Sequence, residues 1–358
     1  MAASAERQSL PSLLDLITQV DNLPLDFATN SSPYYKFLLS SDPRPHGFIH
    51  PSTVERLPWP ALFAVDRAAA TVTLAAPTAE RANAALQDAV DAAIACGRFP
   101  TLNGLHSEPF VVPGVAPDTW PDLPAAGPIR VERFAATLFG INTRGAHLTA
   151  YVRDDLSSSS GDGDGRGSGS GGGGGIAGIW VARRSASLYT YPGMLDSAVA
   201  GGVKAGDSPL QCILAESDEE ARLAPEVVRP RLRPAGVVTL ANRNPRTELV
   251  HGEILYVYDL DLSPPPPPPG RAGVDHPRDL GLVPLPGDDG EVDEFILMGW
   301  HEVARRMRAG EFKPNVCAVM IDFFIRHGLV TPENEDQYVE ICNRLRRKLP
   351  MPTNGFET

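Results

Sequence analysis

The chain has 358 residues, of which 42% are hydrophobic, and a formal net charge of −12. That length accommodates two domains of ordinary size, each with an apolar core. The acidic balance excludes a nucleic-acid or anionic-membrane surface as the main partner.

Four cysteines, Cys96, Cys212, Cys317 and Cys342, are scattered without a CxxC or a His pairing. They read as reduced, buried thiols of an intracellular protein, not as a disulfide framework or a zinc site. The first twenty residues lack an apolar run with a cleavage site, and no later stretch reaches about 18 apolar residues. The cytoplasm is therefore the expected location.

In chain order, the pattern predicts an amphipathic helix near 9–22, a short strand at 71–76 and an alanine-rich helix at 79–97. Thr78 stands in position to cap that second helix. A boundary falls near 125–130, giving a smaller α+β domain over 1–128 and a second domain over 129–358. Strands at 147–154 and 178–185 flank a Gly/Ser tract at 157–175, as the arms of a hairpin with an expanded loop would. Strands at 253–262 and 291–300 flank a second tract, which begins with a proline run and stays polar to about 290. Both tracts read as disordered loop insertions inside one domain, since lengthening a loop costs little closure entropy. Helical segments follow at 301–312 and 316–328, and a last helix at 337–349 has a basic end that suits its dipole.

The most informative stretch runs from Ala200 to Leu223. Gly201, Gly202 and Gly206 make a glycine-rich loop, and Asp207-Ser208-Pro209-Leu210-Gln211 starts a helix. Ser208 can serve as N-cap, Pro209 fits the first helical position, and Gln211 completes a capping box. At 100° per residue, Leu210, Ile213, Leu214, Ser217 and Ala221 share one face, with Glu216, Glu219 and Glu220 in a stripe beside it. Like charges at this spacing repel by a few tenths of a kcal/mol per pair. Either the stripe is a solvated acidic face, or a hard divalent cation offsets the repulsion.

Gly201, Asp207 six residues on, and Glu216-Ser217-Asp218-Glu219-Glu220 resemble the box of the Nudix hydrolase family, through to the hydrophobic Leu223. Four positions depart from it: Asp207 replaces a glutamate, Ala215 a basic residue, Ser217 an aliphatic one and Arg222 a glycine. The segments ERFAATLFGINTRGAHLTAYV, GIWVARRSASLYTYPGMLDSAVAGG and GEFKPNVCAVMIDFFIRHGLVTPENEDQY resemble one branch of that family. In it, a Nudix domain follows an N-terminal domain related to fungal thiamine pyrophosphokinase proteins and plant Nudix relatives. GFIHPSTVERLPWP and GRFPTLNGLHSEPFVV fit that first module.

The resemblance implies an α/β fold, a Nudix α/β/α sandwich with a mixed sheet, preceded by the smaller α+β domain. It implies Glu216, Glu219 and Glu220 as catalytic residues and ligands of Mg²⁺, with Mn²⁺ as the alternative ion. The implied reaction is hydrolysis of a small-molecule diphosphate, thiamine diphosphate or its oxidised analogues, to the monophosphate and phosphate. A nucleoside-diphosphate derivative such as ADP-ribose or NADH is the alternative substrate, and a catalytically weak ligand-binding protein the alternative function. No nucleic acid or membrane partner is expected, and no oligomeric state is assigned.

Other residues are candidates on chemistry. Arg183 or Arg184 can clamp phosphate oxygens, but successive strand residues face opposite ways, so at most one is expected to reach the site. Gly201 and Gly202 can let the backbone approach the substrate. Tyr191, Tyr189 and Trp180 can stack on a flat heterocycle, or, for Trp180, equally well fill a core. Leu188 and Tyr189 stand where the branch carries basic residues. Glu253, Glu291 and Glu294 are candidates for a further carboxylate. His147, His251, His301 and His327 lack partner spacing and read as structural.

Overall fold

The computed structural model describes residues 10–40, 42–102, 104, 108–154, 175–265 and 276–354. The disorder expected for the two tracts concerns mostly 157–174 and 266–275, which lie outside the described residues.

The first helix, α1 (Leu13–Thr18), is shorter than its apolar pattern suggests. Ser12 caps it in a reciprocal box with Asp15. A four-stranded sheet follows, from β1 (Tyr35–Leu39), β2 (Asp42–Ile49), β3 (Phe63–Asp66) and β4 (Thr71–Leu74), in the order β2-β1-β4-β3. The short α2 (Pro51–Arg56) leads from β2 toward β3. The long α3 (Ala79–Ala95) starts where Thr78 accepts the Arg81 N–H at 3.2 Å. Its buried Ala82, Ala85, Leu86, Ala89, Val90 and Ala93 recur at helical spacing and join the core of this sheet. Small alanines let the helix approach closely. A two-stranded ladder of β5 (Pro109–Val111) and β6 (Arg130–Glu132) brackets α4 (Leu123–Ala126). A 3-10 turn at Arg133–Ala135 and α5 (Ala136–Phe139) then deliver the chain to the second sheet.

That sheet combines β7 (Asn142–Arg153), β8 (Ile176–Arg184), β9 (Leu195–Asp196), β10 (Val199–Gly202), β11 (Leu232–Arg243), β12 (Val250–Asp261) and β13 (Val292–Met298). Its main path is β11-β12-β7-β8-β13, with β10 on β7 and β9 on β8. Only β12 and β7 run parallel, so the sheet is mixed. The arms of the Gly/Ser tract pair as the expected hairpin, with Tyr151 opposite Ile179. The strands around the proline tract lie in the same sheet, with β7 and β8 between them.

One face of the sheet is covered by α8 (Trp300–Arg308), α9 (Pro314–Arg326) and α10 (Tyr338–Leu345), together with α1. The other carries α6 (Pro209–Ala221) and α7 (Pro225–Arg231). The layering is α/β/α. Although α1 comes first in the chain, its buried Leu13, Leu16 and Ile17 belong to the core of this second unit.

Two expectations change. The last helix is shorter than expected: α10 stops at Leu345 with Arg344 in its last turn, and beyond it Arg346 pairs with Asp322 and Arg347 with Asp21. Of the stretch 263–290 expected to be a disordered insertion, the later part is built into the core. Leu282 is buried with Leu260 and Leu262, and Leu280 packs against them, because these leucines add apolar surface to the α6 face.

Candidate active site

The acidic helix starts as its residues dictate. Ser208 Oγ accepts the Gln211 N–H at 3.2 Å, Gln211 Oε1 accepts the Ser208 N–H at 2.8 Å, and Pro209 holds the first turn. Ile213, Leu214, Ser217 and Ala221 are buried as the periodicity requires, whereas Leu210 is partly exposed. Ser217, in a position facing the core, satisfies its hydroxyl on the Ile213 carbonyl at 2.5 Å. At the other end Arg222 adopts a left-handed conformation, φ +51°. The carbonyls of Glu220 and Ala221 accept the N–H groups of Gly287 and Leu285, at 3.0 and 2.9 Å. The segment after the proline tract thus closes the helix end.

The three glutamates occupy different depths. Glu219 is exposed, Glu216 half-buried, and Glu220 buried. Glu220 accepts the Ala200 N–H at 3.2 Å, which ties the helix to β10. Burial drives the Glu220 carboxyl well above the usual range, and neighbouring Glu216 adds to this. Burial pushes Glu216 up to about 7, with Glu219 and Glu291 contributing and Lys204 opposing. Among the described residues none of the three glutamates has an ion-pair partner.

The glycines of β10 have separate tasks. A Cβ on Gly201 would lie 2.3 Å from Glu216 Oε1, so its missing side chain makes room for that carboxylate. A Cβ on Gly202 would lie 2.6 Å from the ring of Phe110, so this glycine seats an aromatic of the first unit. Glu108, just before β5, bridges Lys204 at 2.9 Å and Arg133 at 3.3 Å.

Strand alternation separates the arginines. Ile179 and Val181 face the α9 side, while Trp180 packs on the α6 side. Arg184 shares the latter face and lines a small cavity with Asp196, Ser197, Ala200, Glu220 and Glu291. Its guanidinium donates to Asp196 at 3.2 Å and to the carbonyls of Thr190 and Tyr191. Arg183, on the opposite face, is held by Glu294 at 2.6 Å and by the Gly193 carbonyl. Tyr191, φ +50°, is therefore placed through its backbone, while burial and nearby Glu253 raise its hydroxyl pKa. Of the further carboxylates, Glu291 reaches the cavity beside Glu220, whereas Glu253 accepts from Asn315 at 3.1 Å. A larger cavity, about 720 Å³, lies between α3 and the β5–β6 ladder, and reaches toward Lys204 only through Glu108.

No family profile matches the chain. It is 35% identical to an uncharacterized protein of Saccharomyces cerevisiae over 63% of its length. It is 31% identical to the chloroplastic Nudix hydrolases 24 and 20 of Arabidopsis thaliana, over 66% of its length in each case. The chain is a relative of the plant Nudix hydrolases. The matched regions span 58%, 55% and 54% of those three relatives.

In this Nudix relative the box residues have the chemistry of a divalent-cation site. The donors are carboxylate oxygens, which suit a hard ion; Glu220 is buried and Glu216 half-buried, and neither makes an ion pair among the described residues. The donor set fits. As placed, no group of three or more His, Cys, Asp or Glu among the described residues gathers closely enough to hold an ion.

The histidines have structural partners: His147 with Ser197 at 3.0 Å, His251 with Thr143 at 2.7 Å, and His327 with Asp259 at 2.9 Å. His301 lies against the Trp300 ring, with centroids 3.7 Å apart. All four cysteines are free; burial pushes the Cys212 and Cys317 thiols up to about 12, so neither serves as a nucleophile. Sequence reasoning missed Asp196. It is a buried carboxylate of β9 that meets both Arg184 and Lys313, at 3.2 and 3.5 Å. Its partners are 12 and 117 residues away in sequence, so no local spacing marks it.

Proposed function

We propose that the chain is a Mg²⁺-dependent Nudix hydrolase that cleaves the diphosphate of thiamine diphosphate or its oxidised analogues, releasing phosphate and the monophosphate. The observation that supports this reading is a capped helix holding Glu216, Glu219 and Glu220 beside a glycine strand, Glu220 buried and Glu216 half-buried, neither in an ion pair among the described residues. Glu216, Glu219 and Glu220 would hold Mg²⁺, or Mn²⁺ in its place. When bound, such an ion neutralises phosphate oxygens and acidifies water. Arg184, on the same face as the helix, is positioned to bind a phosphate oxygen while Asp196 fixes its orientation. Gly201 keeps Glu216 at its place against β10.

The organic part of the substrate is assigned through the sequence resemblance to the thiamine-linked branch. A nucleoside-diphosphate derivative such as ADP-ribose or NADH is the alternative within the same chemistry. Domains divided at 128/129, 1–128 and 129–358, with the second carrying the chemistry, belong to the same proposal, as does a location in the cytoplasm; α1 packs across that division onto the second core, and 134–141 onto the first. The free cysteines support a reducing compartment, and no helix of the described residues is long and apolar enough to cross a membrane.

A second reading, a ligand-binding protein with weak catalysis, is favoured by one observation: the box carboxylates do not gather into an ion-holding group as placed. Phosphate release from thiamine diphosphate, its oxidised forms, ADP-ribose and NADH, with Mg²⁺, separates the two. The hydrolase reading expects turnover of at least one compound and its loss in Glu219→Gln. Tight binding with no turnover across the panel establishes the second reading instead.

A further inference from the structure

Among the described residues Lys204 makes no ion pair with Glu216, Glu219 or Glu220, although it stands on the loop that leads into their helix. It is close enough to act on them. Glu108 raises the Lys204 ammonium pKa, Glu216 and Glu219 add to this, and Lys204 in turn opposes the rise at Glu216. The ammonium nevertheless lies on Glu108 of the first unit, at 2.9 Å. Glu108 also meets Arg133 at 3.3 Å, so two cations share one carboxylate and one positive charge is left over.

Three successive residues of the first unit hold this loop. Phe110 lies against Gly202, the Pro109 carbonyl accepts the Ala205 N–H at 2.8 Å, and Glu108 takes Lys204. The first two contacts fix the backbone without help from the ion pair, which fixes only the ammonium. A lysine ammonium is a point charge on a flexible four-carbon stem, so it can pass from one oxyanion to another while its backbone stays in place. The other cations near the helix are less accessible: Arg184 and Lys313 are 15% and 19% exposed, and both meet the buried Asp196. Lys204 is 47% exposed and Glu108 33%, and a pair so open to water is weak.

We infer that Lys204 is a phosphate-binding residue of the box site, resting on Glu108 when no substrate is bound and passing to a diphosphate oxygen when one arrives. The inference rests on the proposed diphosphate hydrolysis and adds to it a competitor for the anion, supplied by the first unit. The two partners of one ion pair then act in opposite directions. Loss of Lys204 removes a ligand for phosphate, and loss of the Glu108 charge removes the rival of that phosphate.

The test is calorimetric titration of the full chain with inorganic diphosphate and Mg²⁺, beside turnover of thiamine diphosphate and ADP-ribose. Lys204→Ala is expected to raise the Kd of diphosphate about tenfold. Lys204→Arg, which keeps the charge, should stay within about threefold of the unsubstituted chain. Glu108→Gln keeps an acceptor oxygen for the ammonium without the charge, and should lower the Kd about threefold. A pair of purely structural worth would move Lys204→Ala and Glu108→Gln the same way, or move neither. A Kd that does not rise in Lys204→Ala, or does not fall in Glu108→Gln, therefore overturns the inference. If the unsubstituted chain turns over either compound but these shifts are missing, only the role of Lys204 falls. If it neither binds diphosphate with Mg²⁺ nor turns over either compound, the hydrolase reading falls and Lys204 with it.

Discussion

Glu216 occupies the space that a side chain on Gly201 would need: a Cβ there would lie 2.3 Å from its Oε1. The obstacle is the far end of a flexible side chain, so adding a methyl displaces the carboxylate without unfolding the strand. Gly201→Ala should therefore lose at least about tenfold in phosphate release while stability changes by no more than about 1 kcal/mol. Parallel urea unfolding and phosphate assays check this. Full activity in the variant would show that Glu216 need not stand against β10.

His147 makes stability depend on pH. Burial pushes its imidazole from the ordinary 6.5 down to about 4, nearby Asp196 opposes this, and Lys313 adds to it. Above pH 6.5 the ring is neutral in both folded and unfolded chains. As the pH falls toward 4 the unfolded chain takes up the proton first, so stability present above 6.5 is progressively lost. The loss should be on the order of 3 kcal/mol. His147→Asn removes this component, and its unfolding free energy should vary less than the parent's across the same window. Identical pH profiles would show that His147 does not titrate differently on folding.

Arg222 ends the acidic helix in a left-handed conformation that a side chain disfavours. It also pairs with the exposed Asp288, a contact of small worth at the surface. Arg222→Gly should relieve more backbone strain than it loses in the pair and in unfolded-chain entropy, a net gain of up to about 1 kcal/mol. A rise in the urea midpoint at unchanged slope is the expected result, and a fall would show that the Asp288 pair outweighs the strain.

Asp21 fastens the first residues to the last. Fully buried, it accepts from the Ala241 N–H at 3.0 Å, from Arg347 at 2.9 Å and from Arg344 at 3.4 Å. Asp21→Ala leaves buried Arg347 without its carboxylate and should cost about 3–5 kcal/mol. Asp21→Ala combined with Arg347→Met should cost less than the sum of the two single changes, measurable as a double-mutant cycle. Strict additivity would show that the two residues are not coupled.

What could be read from the chain was whatever is local. The capping box at Ser208 and Gln211, the cap at Thr78, the buried stripe of α6 and the β7–β8 hairpin all depend on residues a few positions apart. So did the conclusion that at most one of Arg183 and Arg184 reaches the cavity, since strand alternation alone decides it. What escaped depends on contacts distant in sequence. The pattern around α1 marks an apolar face but not that α9 and α10 would cover it. The stripe at Glu216, Glu219 and Glu220 is visible on a helical wheel. Glu220 is nevertheless buried because β10 supplies an amide at just that point. Gly202 was read as letting the backbone approach a substrate, and the space beside it is taken by Phe110, some ninety residues earlier.

The clasp on the end of the acidic helix has one more consequence. Leu285 and Gly287 donate to it, Leu282 sits in the adjoining core, and β13 completes the sheet beside β8. The described residues after the proline tract, 276–354, are thus anchored by contacts that do not depend on the covalent path through 266–275. A chain severed there should behave as a split protein: fragments 1–265 and 276–358, produced together, should associate and restore the helix that neither holds alone. Co-purification of the two halves measures this, and failure to associate would mean that the tract itself tethers the fold.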